Sequence, residues 1–206
     1  GYRTLEEALR NGADATVKLL ADCVEGTEEA FYVTVPLTLD LNGKRMEGLS
    51  GLIVQKGPTT ILDSSPAQTG TIAGTSDWEG SGVGLWGFKD AEVTLTILGG
   101  HFEGKTDGLQ LLGQNTLILK GGSFSSIHFK EGATATLWDA LAPGYAYYKA
   151  DNTLYDPGDD QKATVKLHVG AHPEHTPDSS GHCPCGYTAA AMLDTGAGKQ
   201  YFADFS

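Results

Sequence analysis

The sequence predicts an all-β chain folded as a parallel β-helix, a solenoid in which short strands stack coil on coil. Three observations carry this. Apolar runs recur at a near-constant spacing: Thr16–Leu20, Leu37–Leu41, Thr59–Asp63, Thr94–Leu98, Thr116–Lys120 and Thr134–Trp138 start 21, 22, 35, 22 and 18 residues apart. Two of the repeats end alike, since Leu95–Phe102 (LTILGGHF) aligns with Leu117–Phe124 (LILKGGSF) at an offset of 22 and both close on Gly-Gly-x-Phe. The 28 glycines are about twice the usual share of roughly 7%. They follow no triplet period, which removes collagen and leaves tight turns between short strands. A fixed period of about 22 residues built from such runs fits a β-solenoid, because one coil cannot bury its apolar face until others stack on it. Five or six coils suffice.

The elements follow in order. Thr4-Leu5-Glu6-Glu7 matches a capping box, with Leu5, Ala8 and Leu9 on one helical face. Residues 4–11 are therefore expected to form a short helix that closes the first coil, ended by Asn11-Gly12. The runs rich in Thr, Leu, Ile and Val alternate locally, as half-buried strands do. Each later run has an earlier partner: Leu52–Val54, Val83–Phe88, Gly108–Leu112 and Ile127–Phe129. Each coil thus holds at least two strands. The step of 35 reads as one coil plus an insertion of about 13 residues, placed at 74–90. Asp139–Ala142 is expected to make a brief helical turn stopped by Pro143-Gly144. Tyr145, Tyr147 and Tyr148 then pack on the last coil. The turn-rich stretch Asp156–Asp160 marks a boundary, with the solenoid and its cap in 1–158 and a C-terminal extension in 159–206. One further strand is expected at 163–169.

Two other folds share part of this pattern. A leucine-rich repeat needs an Asn or Cys at one phase after the strand leucines, and Asn42 and Asn115 do not share a phase. A β-sandwich with irregular strand spacing is the closer rival.

The net charge of −12 disfavours nucleic-acid phosphates and long anionic polysaccharides as ligands. No apolar run approaches the roughly 20 residues that span a bilayer. The chain begins at Gly1 and stops mid-pattern at Ser206, so a leader or anchor is expected outside it. The three cysteines are an odd count. Cys23 lies among Leu19, Leu20, Ala21 and Val24 and reads as a small buried hydrophobe.

Three stretches carry a resemblance. The run YRTLEEAL…TVKLLADC…LTLDLNGKRMEG resembles segments of large secreted proteins of gut Firmicutes, themselves similar to the right-handed β-helix of pectate-lyase-like proteins. HPEHTPDSSGHCPCGYTAAAM resembles a small Cys/His linker module found between such segments, and KQYFADFS looks like the start of another unit parallel to Tyr2–Leu9. The resemblance implies a tandem array on a secreted or cell-surface protein of a Gram-positive bacterium, with neighbouring repeats as intramolecular partners.

The densest cluster of donors is His172, His175, Cys183 and Cys185, an S₂N₂ set that suits a structural zinc. The spacing H-x₂-H-x₇-C-x-C is tighter at the cysteines than standard fingers, and His182 can replace one partner. A free or oxidised thiol pair is the alternative. For ligand binding, Trp78, Trp86 and Phe88 stand in the insertion. Tryptophan stacks on sugars or anchors interfaces, and loops on repeat proteins often carry recognition. Trp86 and Phe88 also fit inward strand positions, whereas Trp78 reads as exposed. The ligand class expected is a host glycan or glycoprotein such as a mucin or an immunoglobulin.

Catalysis on polysaccharides is implied by the resemblance alone. Asp63, Asp77, Asp107, His101, His128, Lys89 and Lys105 are scattered candidates without a cluster. Arginine is confined to Arg3, Arg10 and Arg45. The expectation is a non-catalytic module that binds or displays a ligand, with a plain spacer as the other reading.

Overall fold

The computed structural model describes residues 4–24, 30–76, 83–86, 93–130, 132–172, 177–183, 185, 188–196 and 198–202; for residues 83–86 and for residue 201 it describes the backbone alone. Helix α1 (Leu5–Asn11) opens the chain as expected. Thr4 caps it, its Oγ1 accepting the Glu7 amide at 3.1 Å, while Ala8 and Leu9 face the core.

Five stacked rungs follow, each with three strands. They are β1 (Ala15–Lys18), β2 (Cys23–Val24) and β3 (Phe31–Val33); β4 (Leu37–Asp40), β5 (Arg45–Gly48) and β6 (Leu52–Val54); β7 (Thr59–Leu62), β8 (Thr71–Gly74) and β9 (Val83–Trp86); β10 (Thr94–Ile97), β11 (His101–Gly104) and β12 (Leu109–Leu112); and β13 (Thr116–Leu119), β14 (Ser123–Phe124) and β15 (Ile127–Phe129). Every third strand shares a sheet, so β1-β4-β7-β10-β13 form one parallel wall, and β2 to β14 and β3 to β15 run through the other two. The fold is the β-solenoid that the period indicated.

Register explains why the period exists. Val17, Leu39, Ile61, Ile97 and Leu119 pair in succession up the first wall, and the last four are fully buried. In the second wall Met46, Ile72, Phe102 and Phe124 form the matching column, with Cys23 half-buried at its head. A fully buried side chain of this size contributes about 1.5–3 kcal/mol, and a slip of one residue would turn each column outward. The two Gly-Gly-x-Phe endings lie on neighbouring rungs, and the Phe102 and Phe124 rings stack with centroids 5.1 Å apart. Gly121 is required there because a Cβ would collide with the Leu98 carbonyl, and Gly122 takes a φ of 95° that favours glycine.

Two expectations need correction. The extra residues of the third coil are not one insertion at 74–90. Its strands are separated by eight, eight and seven residues (63–70, 75–82 and 87–93), of which 77–82 and 87–92 lie outside the described residues, against three or four in the coils on either side. The sixth run, Thr134–Trp138, forms no strand. The Asp139 carboxylate accepts both the amide and the hydroxyl of Thr136, at 2.8 and 2.9 Å. This local bonding turns the chain, which meets the first wall again only at a single parallel bridge, Leu141 with Leu119.

The chain then doubles back. Strands β16 (Tyr145–Lys149), β17 (Leu154–Tyr155), β18 (Lys162–Ala163) and β19 (Leu167–Ala171) extend the sheets in antiparallel sense. β19 pairs with β14 and with β16, and β18 pairs with β15. The sheets therefore continue past residue 158. Tyr147 is buried, its hydroxyl bonded to the Leu137 carbonyl at 2.8 Å. A hairpin, β20 (Ala191–Asp194) and β21 (Lys199–Phe202), ends the described chain. No helix among the described residues is long and apolar enough to cross a membrane.

Candidate metal centre

Cys183 and Cys185 pack against Ala146 and Tyr148 of β16 and Leu154 of β17. Antiparallel register sets Tyr148 opposite His168, and Ala146 opposite Gly170. β19 ends at Ala171, so His172 follows directly, its amide bonded to the Gly144 carbonyl at 2.7 Å. On the other side, Asp178 shapes a tight turn. Its Oδ1 accepts the amides of Ser180 and His182 at 2.8 and 3.1 Å and the Ser180 hydroxyl at 2.6 Å. The turn delivers Cys183 and Cys185 to His172. The two cysteines are 0% exposed and pack with Ala146, Tyr148 and Leu154. They form no disulfide.

One ligand atom from each of His172, Cys183 and Cys185 lies within 4.8 Å of the others. His172 Nε2 is 3.7 Å from Cys183 Sγ. In a tetrahedral centre with metal–sulfur bonds near 2.3 Å and metal–nitrogen bonds near 2.0–2.1 Å, sulfur and nitrogen stand about 3.6 Å apart. The observed separation matches two ligands sharing an ion, and equally a hydrogen bond between the thiol and the imidazole. These three side chains can hold a metal.

No family model, curated protein or solved structure matches the chain.

Of the four donors expected from the sequence, the structure brings three together, and His175 lies outside the described residues. His182 does not substitute for any of them. Its Nε2 bonds Asp156 Oδ2 at 2.7 Å, which ties the Asp178 turn to the end of β17. Tyr148 carries no sign in the sequence of a place at this centre. Its hydroxyl lies 3.2 Å from the Ala171 carbonyl and 3.3 Å from His172 Nδ1. Burial raises its pKa, and the nearby Cys185 and Cys183 add to the shift, so the group stays a neutral hydroxyl.

The expected ligand-binding aromatics are placed only in part. Trp78 and Phe88 lie outside the described residues. Trp86 ends β9, its backbone in register with Leu112. A hollow of about 340 Å³ at the cap is lined by Trp138, Asp139, Leu141, Pro143 and Tyr145.

The candidate carboxylates go to structure. Asp63 Oδ1 accepts the amides of Gly43 and Ser65 at 2.8 and 3.0 Å, and Oδ2 accepts that of Gly70 at 2.6 Å. Asp40 accepts from Asn42, Ser64 and Lys18 in the same way. Asp107 is buried and accepts from Gln110 at 2.8 Å and Ser126 at 3.2 Å, with His128 Nδ1 at 3.4 Å. A hollow of about 240 Å³ beside it includes Lys105 and Lys162. His101 Nδ1 meets the Ser123 hydroxyl at 2.5 Å on the next rung. Asp77 and Lys89 lie outside the described residues.

Proposed function

We propose that this chain is a non-catalytic, adhesin-like module of a secreted or cell-surface protein, a stiff shaft that displays its third coil to a host glycan or glycoprotein. The observation that carries the reading is the third coil itself. The chain between its strands is each time about twice as long as in the neighbouring coils, and insertions on repeat proteins gather on the recognition surface. The first of these connections is held in shape by Asp63, which accepts from its backbone at both ends. A carboxylate so engaged is poorly placed to act as a catalytic base. Trp78 and Phe88, outside the described residues, fall in the chain between β8 and β9 and between β9 and β10, and tryptophan suits sugar rings and protein interfaces alike. The Trp138–Tyr145 hollow offers a second aromatic surface of the same chemistry.

The metal group serves this shaft as a clasp. We infer that it takes zinc, because two thiolates and an imidazole suit that ion. Two fully buried sulfurs make the site structural rather than catalytic. Its ligands come from the end of β19 and from the Asp178 turn, so the ion would fasten the C-terminal segment to the cap, where large apolar side chains are few.

The test is a binding screen of the whole chain against mucins, immunoglobulins and a glycan array, alongside Trp78→Ala and Trp138→Ala. Binding by the parent chain that falls at least tenfold in Trp78→Ala is the expected result. Release of reducing ends or unsaturated products from polysaccharides would contradict the reading, as would a chain that binds none of these ligands.

A further inference from the structure

The Tyr148 hydroxyl sits between two groups of opposite kind. Ala171 offers a carbonyl, which can only accept a hydrogen bond, 3.2 Å away. His172 Nδ1, at 3.3 Å, can donate or accept according to tautomer. A hydroxyl has one proton. If it goes to the carbonyl, Nδ1 must carry a proton of its own and donate it to the phenol oxygen. The imidazole is then the Nδ1–H tautomer, and its lone pair is on Nε2. That nitrogen is the one 3.7 Å from Cys183 Sγ.

The phenol ring is itself fixed. It stacks on His168 with centroids 5.4 Å apart and an interplanar angle of 19°. It also lies over Gly170, where a Cβ would come within 3.2 Å of Tyr148 Cε2. The ring therefore rests on bare backbone of the same strand that delivers His172.

We propose that Tyr148 is the positioning residue of the metal centre, relaying the Ala171 carbonyl to His172 Nδ1 so that Nε2 is presented to the ion. The proposal rests on the metal reading above. Partners of this kind, one bond behind the ligand, set the tautomer and ring orientation of a ligating histidine, and their removal typically weakens metal binding about 10–100-fold.

The experiment is done on the whole chain, with zinc added and with zinc removed. Long-range ¹H–¹⁵N correlation of the imidazoles reads the tautomer of His172 directly. The expected result is Nδ1–H in both states, with the Nε2 resonance moved on adding zinc. Competition with a chromophoric chelator then compares the parent chain with Tyr148→Phe. The expected result is a loss of about 10–100-fold in zinc affinity, together with loss of the single Nδ1–H signature. Ligation through Nδ1, or an unchanged tautomer and affinity in Tyr148→Phe, would overturn the proposal and leave the metal reading standing. A parent chain that takes up no zinc would remove both.

Discussion

Asp40 ends β4 opposite Leu62 and Asp63 follows β7 one residue later on the next rung, and each holds the turn of a neighbouring coil as well as its own. Burial pushes both carboxyls up, but hydrogen bonds outweigh it. For Asp40 these come from the Ser64 amide and hydroxyl, Lys18 and the Asn42 amide; for Asp63 they come chiefly from the amides of Ser65, Gly70 and Gly43. Both pKa values are held below the ordinary carboxylate range. The sign follows from linkage. The unfolded chain titrates near pH 4 and the folded carboxyls lower, so this stability is fully present above about pH 4 and is lost as pH falls through the depressed folded values. Urea denaturation should therefore show a loss below about pH 4 that is shallower in Asp40→Asn/Asp63→Asn; equal acid slopes would contradict this. At neutral pH, Asp63→Ala should cost about 2–3 kcal/mol, because it leaves the buried Gly70 amide and the half-buried amides of Gly43 and Ser65 without this acceptor. The sequence offered a signal for such pairs. Asp63 with Gly43, Asp107 with His128, and His101 with Ser123 are separated by 20, 21 and 22 residues. Residues one coil apart are stacked, so polar pairs at that offset are structural before they are catalytic.

At the scale of elements, the walls with long apolar runs were legible and the third was not. β4, β7, β10 and β13 are alternating four-residue strands, and β6, β12 and β15 lie within the partner runs. The second wall contains β2 and β14, two residues each, and β5 (RMEG) and β11 (HFEG), whose outward residues are charged or polar. Such pieces are too short for alternation to declare itself. At the cap the tyrosines and a strand near 163–169 were expected, but the antiparallel pairing was not legible, since β18 has two residues and pairs against the sense of the solenoid. Its role is to cover strand edges that would otherwise recruit other chains. Leu167 continues the Phe124 column, and Ala163 stands opposite Ile127. A chain ending at residue 158 should expose β14 and β15 and aggregate, whereas one ending at residue 172 should keep them paired and stay in solution. Size-exclusion chromatography of the two distinguishes this from a solenoid complete at residue 158, which would leave both soluble.

At the scale of the molecule, the described residues form a stack of rungs with a helix at its first rung, antiparallel strands over its last and long connections in its third coil. The candidate metal donors were legible because three of them fall within 14 residues, His172 to Cys183 and Cys185. Their geometry was not. Tyr148 lies 24 residues before His172 and reaches it only because β16 and β19 pair side by side. Likewise His182 looked interchangeable with the other donors until its bond to Asp156 placed it elsewhere.

If the His172, Cys183 and Cys185 group holds zinc as proposed, the protein should carry the ion through purification. The direct measurement is elemental analysis of the protein after mild dialysis, beside Cys183→Ser/Cys185→Ser prepared in the same way. The account predicts about one zinc per chain in the parent and a near-complete loss in the variant; a parent chain free of metal, or a variant that holds as much, would contradict it.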